Sequence, residues 1–205
     1  LLLSEDELLL KNMVRELADE ELAPRAAQYD ESSEFPWANI RRIAELGLFG
    51  LTIDEEYGGA GGTTRQLTIV IEEIARACAA TSVIYIAHLS LCTQFIHMFG
   101  TERQKHQFIP PLAKGEKIGA FALSEPGSGS DSGAMQTTAM KAGTDYKLNG
   151  SKLFITNAKE ADIFIVMASH DLNLGSRGVN SFIVESGSDG FNINPQRGKM
   201  GIRAS

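Results

Sequence analysis

Cysteine is scarce in this chain of 205 residues: Cys78 and Cys92 are the two present, both in apolar stretches. Two such thiols make no disulfide framework and point to a reducing compartment. No uninterrupted apolar run approaches the roughly 18 residues that a membrane span needs, and no signal or transit peptide is visible. Positive charge is in deficit. Lys and Arg number 19 against 26 Asp and Glu, a net charge of -7, which argues against the basic face that nucleic acid demands. The histidines, His88, His97, His106 and His170, show no metal-ligand spacing with the cysteines. No G-x-S-x-G elbow occurs, so no hydrolase triad can be assembled around a serine.

What remains is ordinary globular material, 43% hydrophobic and 22% charged, which excludes disorder, a coiled coil and a collagen-like chain. Its length suits one or two domains. Charge is uneven: residues 1–60 hold 5 basic and 14 acidic groups, a pattern expected of a solvated helical surface.

Character changes near Lys117. Before it, apolar residues recur at helical spacing. Ser4 and Glu7 form a capping-box pattern, and Leu10, Met13, Val14, Leu17 and Leu22 mark one face of a helix expected to end near Pro24. Pro36 fits the first turn of a second helix, with Ile40, Ile43 and Leu46 inward and Gly47 as its stop. Further helices are expected over 64–80, 82–99 and 102–108, the last ending before Pro110-Pro111. The helix over 82–99 is apolar nearly all round and should be buried. After Lys117 the period becomes two. Strands are expected over 118–123, 135–141, 162–169, 180–185 and 191–194, with a hairpin over 146–156 turning at Asn149-Gly150. The expected fold class is α+β: an all-helical domain over 1–116, then a β-barrel or sandwich domain over 117–205.

Three segments are candidates for chemistry. Gly58–Gly62 has neither the lysine of a Walker loop nor a G-x-G-x-x-G pattern, and reads best as a tight inter-helix loop. Ser124-Glu125-Pro126-Gly127-Ser128-Gly129-Ser130-Asp131 directly follows an expected strand. Its glycines let backbone amides approach a ligand closely. Composition alone leaves linker and site equally open. Asn149-Gly150-Ser151-Lys152-Leu153-Phe154-Ile155-Thr156-Asn157 alone reads as hairpin.

Together they are more specific. Phe121-Ala122-Leu123-Ser124-Glu125-Pro126-Gly127-Ser128-Gly129-Ser130-Asp131, then Asn149-Gly150-Ser151-Lys152, then Phe154-Ile155-Thr156-Asn157, with Lys199-Met200-Gly201-Ile202-Arg203-Ala204-Ser205 near the end, resemble the acyl-CoA dehydrogenase family. Tyr57-Gly58-Gly59 and the stretch from Phe99 to Lys105 extend the resemblance over essentially the whole chain. The wording of residues 117–127 is similar to short-chain, butyryl-CoA members.

The resemblance implies FAD as cofactor, with Phe121, Ala122, Leu123 and Ser124 along the flavin ring and Gly129 and Ser130 in the adjoining loop. It implies that Phe154, Ile155 and Thr156 cover the ring, Phe154 standing where many relatives have tryptophan. It implies Ser130 against the acyl-CoA thioester arm. Tyr85, His88 and Cys92, near one helix face, would floor the acyl pocket; ordinary core packing with a satisfied histidine is the competing expectation. The implied reaction is α,β-dehydrogenation of a short-chain or branched acyl-CoA in fatty acid β-oxidation, with electrons passed to electron-transfer flavoprotein. The implied assembly is a homotetramer, cytoplasmic in a bacterium or in the mitochondrial matrix of a eukaryote. The family's C-terminal helical bundle and its catalytic glutamate are expected outside these residues, so no catalytic residue is assigned. A non-catalytic binding module of the same fold and a flavin oxidase or monooxygenase relative are the alternatives.

Overall fold

The computed structural model describes residues 2–205. Seven α-helices come first: α1 (Glu5–Leu17), α2 (Ala23–Ser32), α3 (Trp37–Glu45), α4 (Thr64–Ala77), α5 (Ala79–Ile86), α6 (Gln94–Phe99) and α7 (Glu102–Ala113). Five strands follow: β1 (Gly119–Ala122), β2 (Thr138–Ala142), β3 (Asp145–Asn149), β4 (Ile163–Ser169) and β5 (Val179–Glu185). The fold is α+β, a helical region followed by a sheet.

The capping box at Ser4 forms as expected. The Glu7 N–H donates to Ser4 Oγ at 3.2 Å, and the Ser4 N–H donates to Glu7 Oε2 at 2.8 Å. Val14, Leu17 and Leu22 are buried, whereas Met13 faces outward. The helix does not stop at Pro24. A π segment, Ala18–Leu22, leads into α2, where Pro24 falls in the first turn. Pro24 has no N–H to give the ladder, and the wider π step just before it lets the helix continue past the proline ring. Buried Glu73 fastens α4 to α1: Arg15 donates to both its oxygens, at 3.0 and 2.8 Å.

Residues 79–99 run through α5, a π segment (Ala87–Thr93) and α6. This run of 21 residues, with a mean hydropathy of 1.4 over its most apolar 18, is long and apolar enough to cross a membrane. Most of it is instead buried against the other helices and β1, as an all-round apolar helix in a core must be. Pro110 and Pro111 lie inside α7 and do not end it. Their missing N–H groups would have bonded carbonyls on a solvent-facing turn, while Ile109, Leu112 and Ala113 bury the last turn.

In the sheet, β4 is central. It pairs with β1 in parallel, with β5 antiparallel along its whole length, and with β2 through Thr138 and Ser169. Burial on both faces explains its unbroken run Ile-Phe-Ile-Val. The hairpin lies elsewhere than expected: β2 pairs with β3, and the turn is Gly143-Thr144, with Gly143 at a φ of 68°. Asn149-Gly150 closes β3. Gly150 backs onto Thr137, whose Oγ1 would lie 2.3 Å from any added Cβ. Residues 150–156 and 191–194 form no strand. One hydrophobic cluster runs through helices and sheet alike, joined where Cys92, Leu112, Ile118, Ala120 and Ile163 meet. The last residues return to α2, where the Arg203 N–H donates to Asp30 Oδ1 at 3.0 Å.

Both thiols are free and buried, and burial pushes the Cys92 thiol up to about 12. Ellman's reagent is therefore expected to find no reactive thiol in the folded protein and both in denaturant. Rapid release of one equivalent from the folded protein would contradict this burial.

Candidate functional site

The glycine loop at 58–62 uses its amides internally: Gly61 donates to the Ile53 carbonyl at 2.8 Å and Gly62 to that of Leu51 at 2.7 Å. It offers no anion cradle and is the tight loop expected.

The loop after β1 is different. Glu125 and Ser128 exchange backbone bonds of 2.7 and 3.2 Å, and Ser128 Oγ donates to the Asp131 carbonyl at 2.7 Å. This leaves the N–H groups of Ser124, Gly129 and Ser130 donating to no protein group among the described residues. Ser124 is half-buried; Gly129 and Ser130 are exposed.

Glu125 holds this loop. Its carboxylate accepts the Gln136 N–H at 2.6 Å, the Thr137 N–H at 3.0 Å and the Lys152 ammonium at 2.7 Å. Burial by itself would raise the carboxyl. The ammonium and the N–H groups outweigh it and hold Glu125 at about 2. Lys152 Nζ also donates to the Leu123 carbonyl at 3.0 Å. Lys152 is pushed down from the ordinary lysine range by burial, against the pull of Glu125. Sequence reasoning gave Lys152 no role. Its place in an apparently alternating stretch is the signal that was there.

Next to this clamp, the Leu153 N–H donates to the Ser124 carbonyl at 2.8 Å, so Phe154 starts one residue beyond the loop. Phe154 is 71% exposed and has a φ of 59°. A bulky residue held in the left-handed region is uncommon, and such strain clusters at functional sites. Ala122, Phe154, Ile155 and Thr156 line one cleft of about 2980 Å³, whose lining also includes Arg103, Lys159, Arg197 and Lys199. Phe121 does not join them: its ring packs on Phe95, with centroids 5.6 Å apart. Leu123, Ser124, Gly129 and Ser130 are not in its lining, though the carbonyls of Leu123 and Ser124 accept bonds from the lining residues Lys152 and Leu153.

Tyr85, His88 and Cys92 are brought together, but in the core and not on a pocket floor; each is fully buried. The Tyr85 hydroxyl donates to the Leu48 carbonyl at 2.8 Å. His88 Nδ1 accepts the Gly119 N–H at 3.0 Å, and Nε2 lies 3.0 Å from the Leu112 carbonyl. These bonds fix the tautomer with hydrogen on Nε2. Cys92 Sγ lies 3.8 Å from the Ile163 carbonyl. Their polar atoms face backbone partners, which is the core-packing alternative. On the surface, ligand atoms of Glu56, Glu102 and His106 approach within 4.8 Å of one another. There Glu102 already accepts from the Tyr57 hydroxyl and pairs with Lys105.

Apolar lining residues with an exposed aromatic, free backbone donors in the neighbouring loop and cations in the same lining suit a ligand with an aromatic ring system and an anionic tail. Residues 4–116 match the family described as "Acyl-CoA dehydrogenase, N-terminal domain", and residues 120–205 match "Acyl-CoA dehydrogenase, middle domain". The chain belongs to the acyl-CoA dehydrogenase family. It is 46% identical over 203 residues to a protein named "Acyl-CoA dehydrogenase, short-chain specific" from Clostridium acetobutylicum, covering 99% of this chain and 54% of that one. The solved butyryl-CoA dehydrogenase of Megasphaera elsdenii superposes with a TM-score of 0.94 at 36% identity, over 100% of this chain and 54% of that one. A solved chain described as "Electron transferring flavoprotein of Acidaminococcus fermentans" gives a TM-score of 0.95 at 40% identity, over 99% and 53%. The chain spans about half the length of the curated relatives it matches.

Proposed function

We propose that this chain supplies the N-terminal and middle domains of an FAD-dependent acyl-CoA dehydrogenase acting on a short-chain acyl-CoA thioester and passing electrons to an electron-transfer flavoprotein. The 46% identity to a short-chain specific enzyme across nearly the whole chain carries this reading. The donor set fits the cofactor. The N–H and hydroxyl of Ser124 would meet the polar edge of the flavin, Phe154 and Ile155 would cover its ring, and Thr156 would offer a hydroxyl. The cleft cations would face the pyrophosphate. When bound, FAD supplies the acceptor for the β-hydride of the thioester.

The protein's part is to bind, orient and exclude water. Hydrogen bonds to the thioester carbonyl make the α-carbon acidic, and they act most strongly in a site closed to water. By the family resemblance, Ser130 would be the residue of this chain that meets the thioester arm. Glu125 is no candidate for the α-proton: Lys152 and two N–H groups take up its oxygens and it is held as a poor base. The family resemblance implies that the base lies outside these residues.

The test is the visible spectrum of the protein as its source produces it, before and after anaerobic addition of butyryl-CoA. A flavin band that bleaches, with reducing equivalents recovered by electron-transfer flavoprotein, is the expected result. A protein that binds no flavin when FAD is supplied would overturn the reading. Rapid reoxidation by oxygen without that partner would favour the oxidase alternative.

A further inference from the structure

Segment Leu153–Asn157 is an arch along the cleft wall, fastened at both ends. At its start, the Leu153 N–H donates to the Ser124 carbonyl at 2.8 Å. At its end stands Asn157, buried, with a φ of 69°. Between them Phe154 also lies at positive φ, and its largely exposed ring has little packing of its own to hold it there. Half-buried Ile155 packs on the core in mid-arch, and the rest of the hold comes from the ends.

The fastening at Asn157 is its side chain. Nδ2 donates to the Ile84 carbonyl at 3.1 Å and to the Gly119 carbonyl at 3.0 Å. Two acceptors on one nitrogen settle which end of the amide is which. Ile84 lies in α5 just before the π segment, where the helical ladder changes step. Gly119 opens β1, and its own N–H is taken by His88. No other residue fits there, since a Cβ would come within 2.6 Å of Cys92 Sγ. One amide thus joins the helical layer, the first residue of β1 and the end of the arch. Asn157 Oδ1 is buried without a partner. An orphaned oxygen costs stability, so this residue is a poor choice as core filler and a good one for its two donated bonds.

We infer that Asn157 is a positioning residue: its side-chain amide ties Phe154–Thr156 to the helix carrying Tyr85, His88 and Cys92, and holds the arch in its cofactor-ready shape before any ligand binds. The inference rests on the function proposed above, in which Phe154–Thr156 cover the flavin; Asn157 acts through those residues.

Two variants separate amide from backbone. Asn157→Gly keeps access to the left-handed backbone and deletes both donated bonds. Asn157→Asp keeps the shape and turns a carboxylate toward two carbonyls. Amide hydrogen exchange on flavin-free protein is the readout that needs no activity. In both variants residues 153–158 are expected to exchange about tenfold faster, with α1 and α4 unchanged. Flavin binding is expected to weaken by about tenfold, and kcat with butyryl-CoA to fall more than KM rises. Unchanged exchange over 153–158, or an even loss of protection along the whole chain, would overturn the inference. So would a wild-type protein that binds flavin beside an Asn157→Gly protein that binds it equally well. If the wild-type protein takes up no flavin, the functional reading fails instead, while exchange still reports whether Asn157 pins the arch.

Discussion

Lys152→Met is expected to destabilise the fold by about 3 kcal/mol, because it leaves the Glu125 carboxylate buried without its counter-ion. The two side chains are 11% and 4% exposed, so water cannot replace the lost ammonium. The Leu123 carbonyl loses a donor as well. For a chain of this size the loss corresponds to roughly 6–12 °C in Tm. The diagnostic variant is the pair Lys152→Met with Glu125→Gln. It removes both charges and keeps an acceptor for one of the two N–H groups, since Gln136 and Thr137 bond different oxygens of Glu125. Its cost is expected to be clearly less than the sum of the two single changes, as for groups that act together. Denaturant unfolding of the four proteins measures this. Additive costs, or a Lys152→Met protein within experimental error of the parent, would show that the clamp adds nothing. The same pair gives an acid dependence. Glu125 is lowered from 4.5 to about 2. Its contribution is complete above about pH 4.5 and is lost as pH falls toward 2.

Local patterns were legible where local physics decides. The Ser4–Glu7 box, the inward face Val14–Leu17–Leu22 and the stop at Gly47 follow from contacts within a turn or two. The burial of the apolar helical run was legible for the same reason. Long-range pairing was not. Asn149-Gly150 has the composition of a hairpin turn, yet Gly143-Thr144 takes that place because β2 pairs with β3 from Ala142 and Asp145 onward. Two strong turn signals within eight residues compete, and register decides between them. Phe191 was expected in a strand; its ring instead packs on Phe164 of β4, with centroids 4.8 Å apart. The site shows the same division. Its loop and arch were recognisable by motif. The Lys152–Glu125 clamp spans 27 residues and the Asn157–Ile84 bond spans 73, and no local pattern encodes either. Tyr85, His88 and Cys92 share a helix face as expected, but spacing gives only the face. That the face turns inward, toward Leu48, Leu112 and Ile163, is a property of packing.

Stability is expected to fall as pH drops from about 6.5 to about 4, and His88 is the cause. Burial pushes its pKa down to about 4, while its bond to the Leu112 carbonyl opposes that shift. Between those values the unfolded chain takes up a proton that the folded chain refuses, so acid favours unfolding. The stabilising effect is fully present above pH 6.5. It is lost progressively as pH falls to about 4, and amounts to about 3 kcal/mol over the full window. The cause is geometric: Nδ1 already accepts the Gly119 N–H, and a proton there would abolish that bond and leave a charge in the core. The test is the urea midpoint measured at intervals from pH 7.5 to 4.5, beside His88→Asn. Its amide can accept the Gly119 N–H and carries no titratable proton. The variant starts lower because it gives up packing against Phe49, but its stability is expected to fall less steeply through this window. Parallel curves would remove His88 as the source of the acid sensitivity. The Glu125 step begins where the His88 step ends, so Lys152→Met and His88→Asn should flatten different parts of one acid limb.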